Sequence, residues 1–449
     1  MTIDDPFPRF DSGWTRYFPY FHDHRPDGPG HSLPRDGQPE DPAAIVRLGV
    51  ARRDAPLDSA ALKAYTGLKA LALDGRKLTD DDLKVIRQFP QLQWLSLNTG
   101  WISDAPSPLT EAALAPLRDR KTLTHLSVKA GTKKDAQWIT NKAMAHLADL
   151  TNLEGLALVN HRNLKGPGFK KLKKLKKLRT VDLTGSRVGV GLDVMADCPL
   201  EELQLNAIDE PHHYGNTPIN EKATGSLAQL TSLQRLSMRY CVKIKELSWI
   251  QSMTRLQILD LEYSYSIQDA DALAPLAALP ALAVVNLLGV SSVLNGGLAG
   301  LQDTRSIRAI RIGTYKLGDD HLTALSQITP LRWLHFRSPS SNAFARFSPK
   351  CWQRLTQLEG LVLERTSPTF RRSGIELGPA HLEAIASLPL KVLKFRQGAA
   401  ELTAQDLTPF KKMTQLQWLH LEDCQAAASL QDALPDCRIT TSLHDWTDD

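Results

Sequence analysis

One short pattern returns fourteen times along this chain and constrains its fold more than any other feature. It is Leu-x-x-Leu-x-Leu, with Val, Ile, Met or Phe allowed at the later apolar places. The copies begin at Leu68, Leu92, Leu123, Leu153, Leu178, Leu200, Leu233, Leu256, Leu282, Ile307, Leu331, Leu358, Leu390 and Leu416. Their spacing, about 27 residues on average, is that of a repeated supersecondary unit, so 449 residues read as one array rather than as several separate domains. LKALAL at Leu68, LQWLSL at Leu92, LQILDL at Leu256 and LQWLHL at Leu416 are among the clearest copies.

The alternation Leu-x-Leu has the period of a strand, which turns the leucines to one face and the residues between them to the other. A strand this short cannot stand alone. Set side by side, the copies pair their backbone groups and join their leucines into a continuous core. Helix-like stretches follow several copies: LTDDDLKVIRQFP from Leu78, LTEAALAPLRD from Leu109, LGDDHLTALSQITP from Leu317 and LTAQDLTPFKKMT from Leu402. Thr79 with Asp82, and Thr403 with Asp406, have the spacing of helix N-caps, the acid lying near the positive end of the helix dipole.

These residues resemble the leucine-rich repeat family over 68–433. The resemblance implies an α/β fold: a right-handed, horseshoe-shaped solenoid of about 14 repeats with a curved parallel sheet on its concave face. The helical Leu-Thr-Asp segments look like those of bacterial and F-box-type members more than the short, extended repeats of internalins. One departure concerns the turn. Where the family places Asn or Cys, three residues after the last strand leucine, this chain has Arg76, Gly100, Gly131, Ser186, Ser264 and Cys424.

Around the array, residues 1–42 form a Pro-rich segment with no strand pattern, 43–67 an N-terminal cap and 434–449 a C-terminal cap. The first segment also holds Phe7, Phe10, Trp14, Tyr17, Phe18, Tyr20 and Phe21, and disordered tails are poor in aromatics. Residues 7–21 are therefore expected to dock on the array. Longer insertions after the strands (98–108, 129–137, 206–221, 337–349 and 364–378) are expected along one rim.

No apolar run approaches the roughly 20 residues of a membrane-spanning helix. Residues 1–10 carry two acids and two prolines, where a secretory signal has a basic start and an apolar middle. Cys198, Cys241, Cys351, Cys424 and Cys437 are scattered and odd in number, consistent with reduced, buried thiols in the cytoplasm. Abundant Ala, Leu, Arg and Asp point to a bacterium. There is no GxSxG, HExxH or Walker loop, so the chain is expected to be no enzyme and to hold no cofactor or metal. His22, His24 and His31, and the pair His212–His213, lie in loops without fixed ligand spacing. The basic run Lys170–Arg179 reads as a solvated helix face.

The residues between the strand leucines line the inner face, where a repeat protein binds. Copies 1–4 are nearly neutral there, with Trp94, Asn98 and His125. Copies 5–9 lean acidic through Asp182, Glu201, Glu202, Asp260 and Glu262, set against Arg179, Arg235 and Arg239, with Tyr240 and Tyr263 adjacent. In copies 10–13 the balance reverses: Arg308, Arg311, Arg332, Arg337, Arg365, Lys391, Lys394 and Arg396 face only Glu359 and Glu364. Trp333, His335, Trp418 and His420 fall in the same stretch, and Trp and Arg are enriched in interface hot spots. The expected binding set is Arg235, Arg239, Tyr240, Tyr263, Arg308, Arg311, Arg332, Trp333, His335, Arg337, Arg365, Lys394, Arg396, Trp418 and His420. Its expected partner is another protein with an acidic patch facing repeats 10–13, met by a chain that is monomeric when free. A basic, aromatic concavity also suits nucleic acid, but the acidic middle copies oppose a long polyanion.

Overall fold

The protein is described from a computed structural model. It covers residues 30–33, 39–51, 57–75, 77–99, 108–131, 137–207, 219–313, 316–338, 344–365, 377–396 and 399–442. The described residues form two compact units, one ending at Ile244 and one beginning at Lys245.

The first unit is built on β1 (Gly30–Leu33), β2 (Arg47–Ala51), β3 (Ala70–Asp74), β4 (Trp94–Asn98), β5 (His125–Lys129), β6 (Gly155–Val159), β7 (Thr180–Asp182), β8 (Glu202–Gln204) and β9 (Arg235–Ser237). Each strand pairs in parallel with the next along the chain. The second unit repeats this order with β10 (Ile258–Asp260), β11 (Val284–Asn286), β12 (Ala309–Ile312), β13 (Trp333–Ser338), β14 (Gly360–Arg365), β15 (Val392–Arg396), β16 (Trp418–Leu421) and β17 (Arg438–Thr440).

Each of the fourteen copies supplies one strand, which starts two residues after the copy's first apolar residue. The leucines of a copy lie on the buried side: Leu256, Leu259 and Leu261 are 0 % exposed. Burying each such side chain contributes roughly 1.5–3 kcal/mol, which is why the triplet recurs where the strand does. The fold in each unit is that of leucine-rich repeats.

Three strands lie outside the expected array. β1 falls within residues 1–42, β2 within the expected N-terminal cap and β17 within the C-terminal one. Strands at the end of an array pair through backbone groups that any sequence supplies, so GHSL and RIT do not announce themselves by leucines.

The segments that follow the strands are shorter and tighter than the helices expected. Asp82–Gln88, Glu111–Leu117 and Thr408–Lys412 are 3-10 helices, the last two containing Pro116 and Pro409. Asp319–Ser326 is α-helical, as its sequence predicts. A 3-10 turn rises further per residue, which suits a short connection back to the next strand. The expected Thr–Asp pairs close on themselves but do not cap the helices: Thr79 and Thr403 donate backbone N–H to Asp82 (2.8 Å) and Asp406 (2.9 Å), whose own N–H groups return 3.3 Å bonds to the threonine hydroxyls, while Asp81 and Leu407 hold the N-cap positions.

The irregular turn position is filled by other small or polar groups. Ser186 Oγ donates to the Leu158 carbonyl (2.6 Å), and the Cys241 and Cys424 thiols point at the Leu205 and Leu402 carbonyls at 3.6 Å. The residue before this position takes a left-handed backbone at Asn160, Gly185, Tyr240, Tyr263, Gly289 and Asp423. In the Lys170–Arg179 run, Lys174 pairs with Asp149 (2.7 Å), Lys176 with Asp197 (2.8 Å) and Lys177 with Asn152 (2.7 Å). These lysines tie neighbouring repeats together on a solvated face.

Candidate protein-binding face

In the second unit the residues between the leucines form rows that cross the sheet. The middle row follows the strand register through Asp260, Asn286, Arg311, His335, Val362, Lys394, His420 and Thr440. A row on one side is largely apolar: Ile258, Val284, Ala309, Trp333, Gly360, Val392 and Trp418. On the other side Arg337, Glu364 and Arg396 stand next to one another on β13, β14 and β15.

Glu364 is the centre of a charge cluster. His335 Nε2 lies 2.8 Å and Arg311 Nη2 3.4 Å from its Oε2, while Arg396 Nη1 stands 3.3 Å and Arg337 Nε 3.7 Å from its Oε1. Arg337 also reaches Glu262, Nη1 to Oε1 3.5 Å, and Asn286 Nδ2 donates to the other oxygen of Glu262 at 3.1 Å. Gly313, two residues beyond Arg311, puts no side chain between Leu288 and Arg337; an added Cβ would meet the Arg337 carbonyl. Burial alone raises the Glu364 pKa. The His335 hydrogen bond and the positive charges of His335, Arg337 and Arg396 outweigh it and hold the carboxyl well below the usual carboxylate range.

A second cluster adjoins. Lys394 Nζ sits 3.4 Å above the centre of the Trp418 ring, a cation–π contact in a desolvated place. Trp418 Nε1 donates to Thr440 Oγ1 (3.0 Å), which is also 2.9 Å from His420 Nδ1. Trp333 packs against Gly360, where an added Cβ would come within 2.2 Å of the indole.

The expectation of an open inner face is corrected here. Arg311, His335, Arg365, Lys394, Trp418 and His420 are buried, His420 completely. Pairing contributes: Glu364 meets Arg311, His335, Arg337 and Arg396, and Glu262 meets Arg337. Replacing Arg311 by Ala would strand a buried carboxylate rather than trim a free surface.

Arg308 is exposed, and Arg332, Trp333, Arg337, Arg396 and Tyr263 are half-buried. Tyr263 packs on Gly289, where an added Cβ would stand 2.5 Å from Cδ1 of the ring. Arg235, exposed, and the half-buried Arg239 and Tyr240 belong to the first unit.

An accessible border was less obvious from sequence. Arg308, Arg332, Glu359 and Lys391 follow one another at the starts of successive strands, each backbone N–H donating to the preceding residue's carbonyl. Glu359 bridges Lys391 (2.8 Å) and Arg332 (3.5 Å). In the first unit the Trp94 and His125 rings stand 4.4 Å apart.

Among the described residues no group of three or more His, Cys, Asp or Glu could hold a metal, and no helix is long and apolar enough to cross a membrane. Residues 7–21, His22, His24 and His212–His213 lie outside the described residues, as does part of each insertion; His31 falls in β1.

No family model and no curated protein matches this chain. Among solved structures it is similar to an internalin (inlF) from Listeria monocytogenes, at 20% identity over 80% of this chain and 82% of that one, with a TM-score of 0.42. It is also similar to the mouse RP105/MD-1 complex, at 16% identity over 88% and 70% of the two chains, with a TM-score of 0.47.

Proposed function

We propose that this chain, a leucine-rich repeat protein, is a non-enzymatic scaffold that holds an acidic protein partner along the border Arg308–Arg332–Glu359–Lys391. The observation that carries this reading is that border's accessibility. It presents three cations and one acid to solvent on a rigid strand register, beside the half-buried indole of Trp333. Fixed charges of one predominant sign steer association and exclude partners of the wrong charge, while an aromatic anchor supplies apolar contact area.

Nucleic acid fits less well, because Glu262, Glu359 and Glu364 interleave with the arginines that phosphates would have to reach. A bacterial cytoplasm is the proposed setting, and the role that of an immunity or inhibitor protein, or of an effector.

Affinity capture tests this with the full chain and its R308E/R332E/K391E variant. An acidic protein retained by the first and lost from the second supports the reading, and identical capture by both overturns it. A toxin from the producing cell assigns the immunity role, a host protein the effector role. Nucleic acid retained at low salt and shed steeply as salt rises would favour the competing occupant.

A further inference from the structure

The basic run of the first unit is only partly used between repeats. Lys174, Lys176 and Lys177 are bonded to Asp149, Asp197 and Asn152. Lys165, Lys170, Lys173 and Arg187 are exposed, and among the described residues no acid pairs with any of them. Lys171 is exposed too, and its Nζ donates to the Asn141 carbonyl (3.0 Å), which leaves its charge unneutralised.

The fold gathers these cations. Lys165 and Arg187 are partners in a parallel β-bridge, which sets two like charges side by side on neighbouring repeats, an arrangement that costs stability in the free protein. Lys170 and Lys173 stand one 3-10 turn apart, the spacing at which side chains eclipse. Gly166, next to Lys165, lets the Val190 backbone close on it: an added Cβ would lie 1.8 Å from the Val190 carbonyl oxygen. Gly191 then turns the chain at φ 100°, and the Lys170 stem packs there, its Cε 3.2 Å from where a Cβ would stand. This turn sets Val190 beside Lys165 and Lys170. Val190 is 49 % exposed, and among the described residues of the first unit no other large apolar side chain is exposed. The acid that follows, Asp193, is occupied by the Ser226 hydroxyl, which donates to it at 3.1 Å.

We infer that this patch docks the protein on an anionic lipid surface, with the cations over the headgroups and Val190 entering their boundary with the acyl chains. Clustered lysines and arginines are drawn to anionic headgroups, and an apolar side chain among them adds burial that a headgroup layer provides. Lysine heads on long, unpaired stems suit a diffuse layer of negative charge better than one fixed carboxylate. A nucleic acid would leave Val190 in water, since an aliphatic side chain offers bases no ring to stack on. The inference is independent of the border Arg308–Arg332–Glu359–Lys391, which belongs to the second unit.

Flotation of the purified full chain with vesicles tests it. The chain is expected to float with vesicles of phosphatidylglycerol in phosphatidylcholine, less so as salt rises, and not with phosphatidylcholine alone; binding to neither, or equally to both, overturns the proposal. K165Q/K170Q/K173Q/R187Q, checked for an unchanged circular dichroism spectrum, is expected to bind more than about 100-fold more weakly, because each cation near an anionic surface contributes about fivefold. R308E/R332E/K391E is expected to keep its binding, and loss there instead overturns the assignment to this patch. A second reading uses Val190→Cys labelled with an environment-sensitive nitrobenzoxadiazole dye, the native cysteines being buried. Its emission is expected to shift to the blue on the anionic vesicles; unchanged emission on vesicles that carry the protein overturns the insertion. A short DNA duplex bound more tightly than the vesicles, through the same four cations, overturns the proposal in favour of nucleic acid.

Discussion

Arg337 Nη1 stands 3.5 Å from Glu262 Oε1, a residue 75 positions earlier in the chain. This contact joins an acid of one repeat to a cation three repeats later, and Glu364 extends the same network across β13, β14 and β15. Within the second unit, Glu262 and Glu364 thus draw arginines of three different repeats into one cluster.

Glu364 is the member whose loss is felt most. Removing Glu364 takes away the carboxylate shared by Arg311, His335, Arg337 and Arg396, and breaking a buried charge group of this kind costs about 3–5 kcal/mol. Glu364→Ala is expected to lower the urea midpoint accordingly, while Glu359→Ala, half-exposed at the border, shifts it by less than about 1 kcal/mol. Chemical denaturation of both variants checks the contrast.

The same carboxyl gives a pH dependence of defined sign. Its folded pKa is depressed, so its contribution is complete above the ordinary carboxylate value, near 4.3, and fades as the pH falls toward the lower folded value. The stability gap between the wild type and Glu364→Gln is expected to narrow from pH 7 to pH 3.

His161 acts in the same direction at higher pH. Burial, with the ring edge-to-face on Trp138 at 5.7 Å, pushes its pKa down from 6.5 to about 3. Between those values the unfolded chain binds a proton that the folded one refuses, so stability falls by about 1.4 kcal/mol per pH unit. His161→Asn is expected to flatten that slope in urea titrations between pH 7 and pH 4.

Gly360 is where a single methyl group discriminates. An added Cβ would overlap the Trp333 indole, and overpacking of this kind costs typically 1–3 kcal/mol. Gly360→Ala is expected to lower the melting temperature and shift the tryptophan emission, whereas Gly225→Ala, inside the helix Glu221–Leu227 with open space around its Cβ, leaves the emission unchanged and does not lower the melting temperature.

All five cysteines are free and buried, and burial pushes the Cys241 thiol up to about 12 and Cys437 to about 11. Thiolate is the reactive form. The native protein is expected to resist Ellman's reagent, with five thiols reacting after denaturation.

Much of this was legible in the sequence. The period of two inside each Leu-x-x-Leu-x-Leu copy located fourteen strands, and the Thr–Asp spacings located two reciprocally bonded turns, though not the helix starts, because both depend on neighbours a few residues away. The end strands were not legible, since backbone pairing leaves no side-chain signature. Nor was the fate of Arg311, His335 and Lys394. Periodicity assigns a residue to a face, but whether that face is wet depends on contacts such as Arg337 with Glu262, made across repeats whose register the sequence leaves open. Gly313 and Gly360 offered a signal in retrospect: a missing side chain in a face row marks where a long neighbour lies across.

The border offers the most direct measurement, the dissociation constant of the captured partner for the wild type, Arg332→Glu and Glu359→Gln. Glu359 is the one acid among the border's cations, so its neutralisation is predicted to tighten binding while Arg332→Glu weakens it, each by about 3- to 10-fold at low salt. Constants that stay the same, or move in the opposite directions, would contradict an acidic protein held at this edge of the sheet.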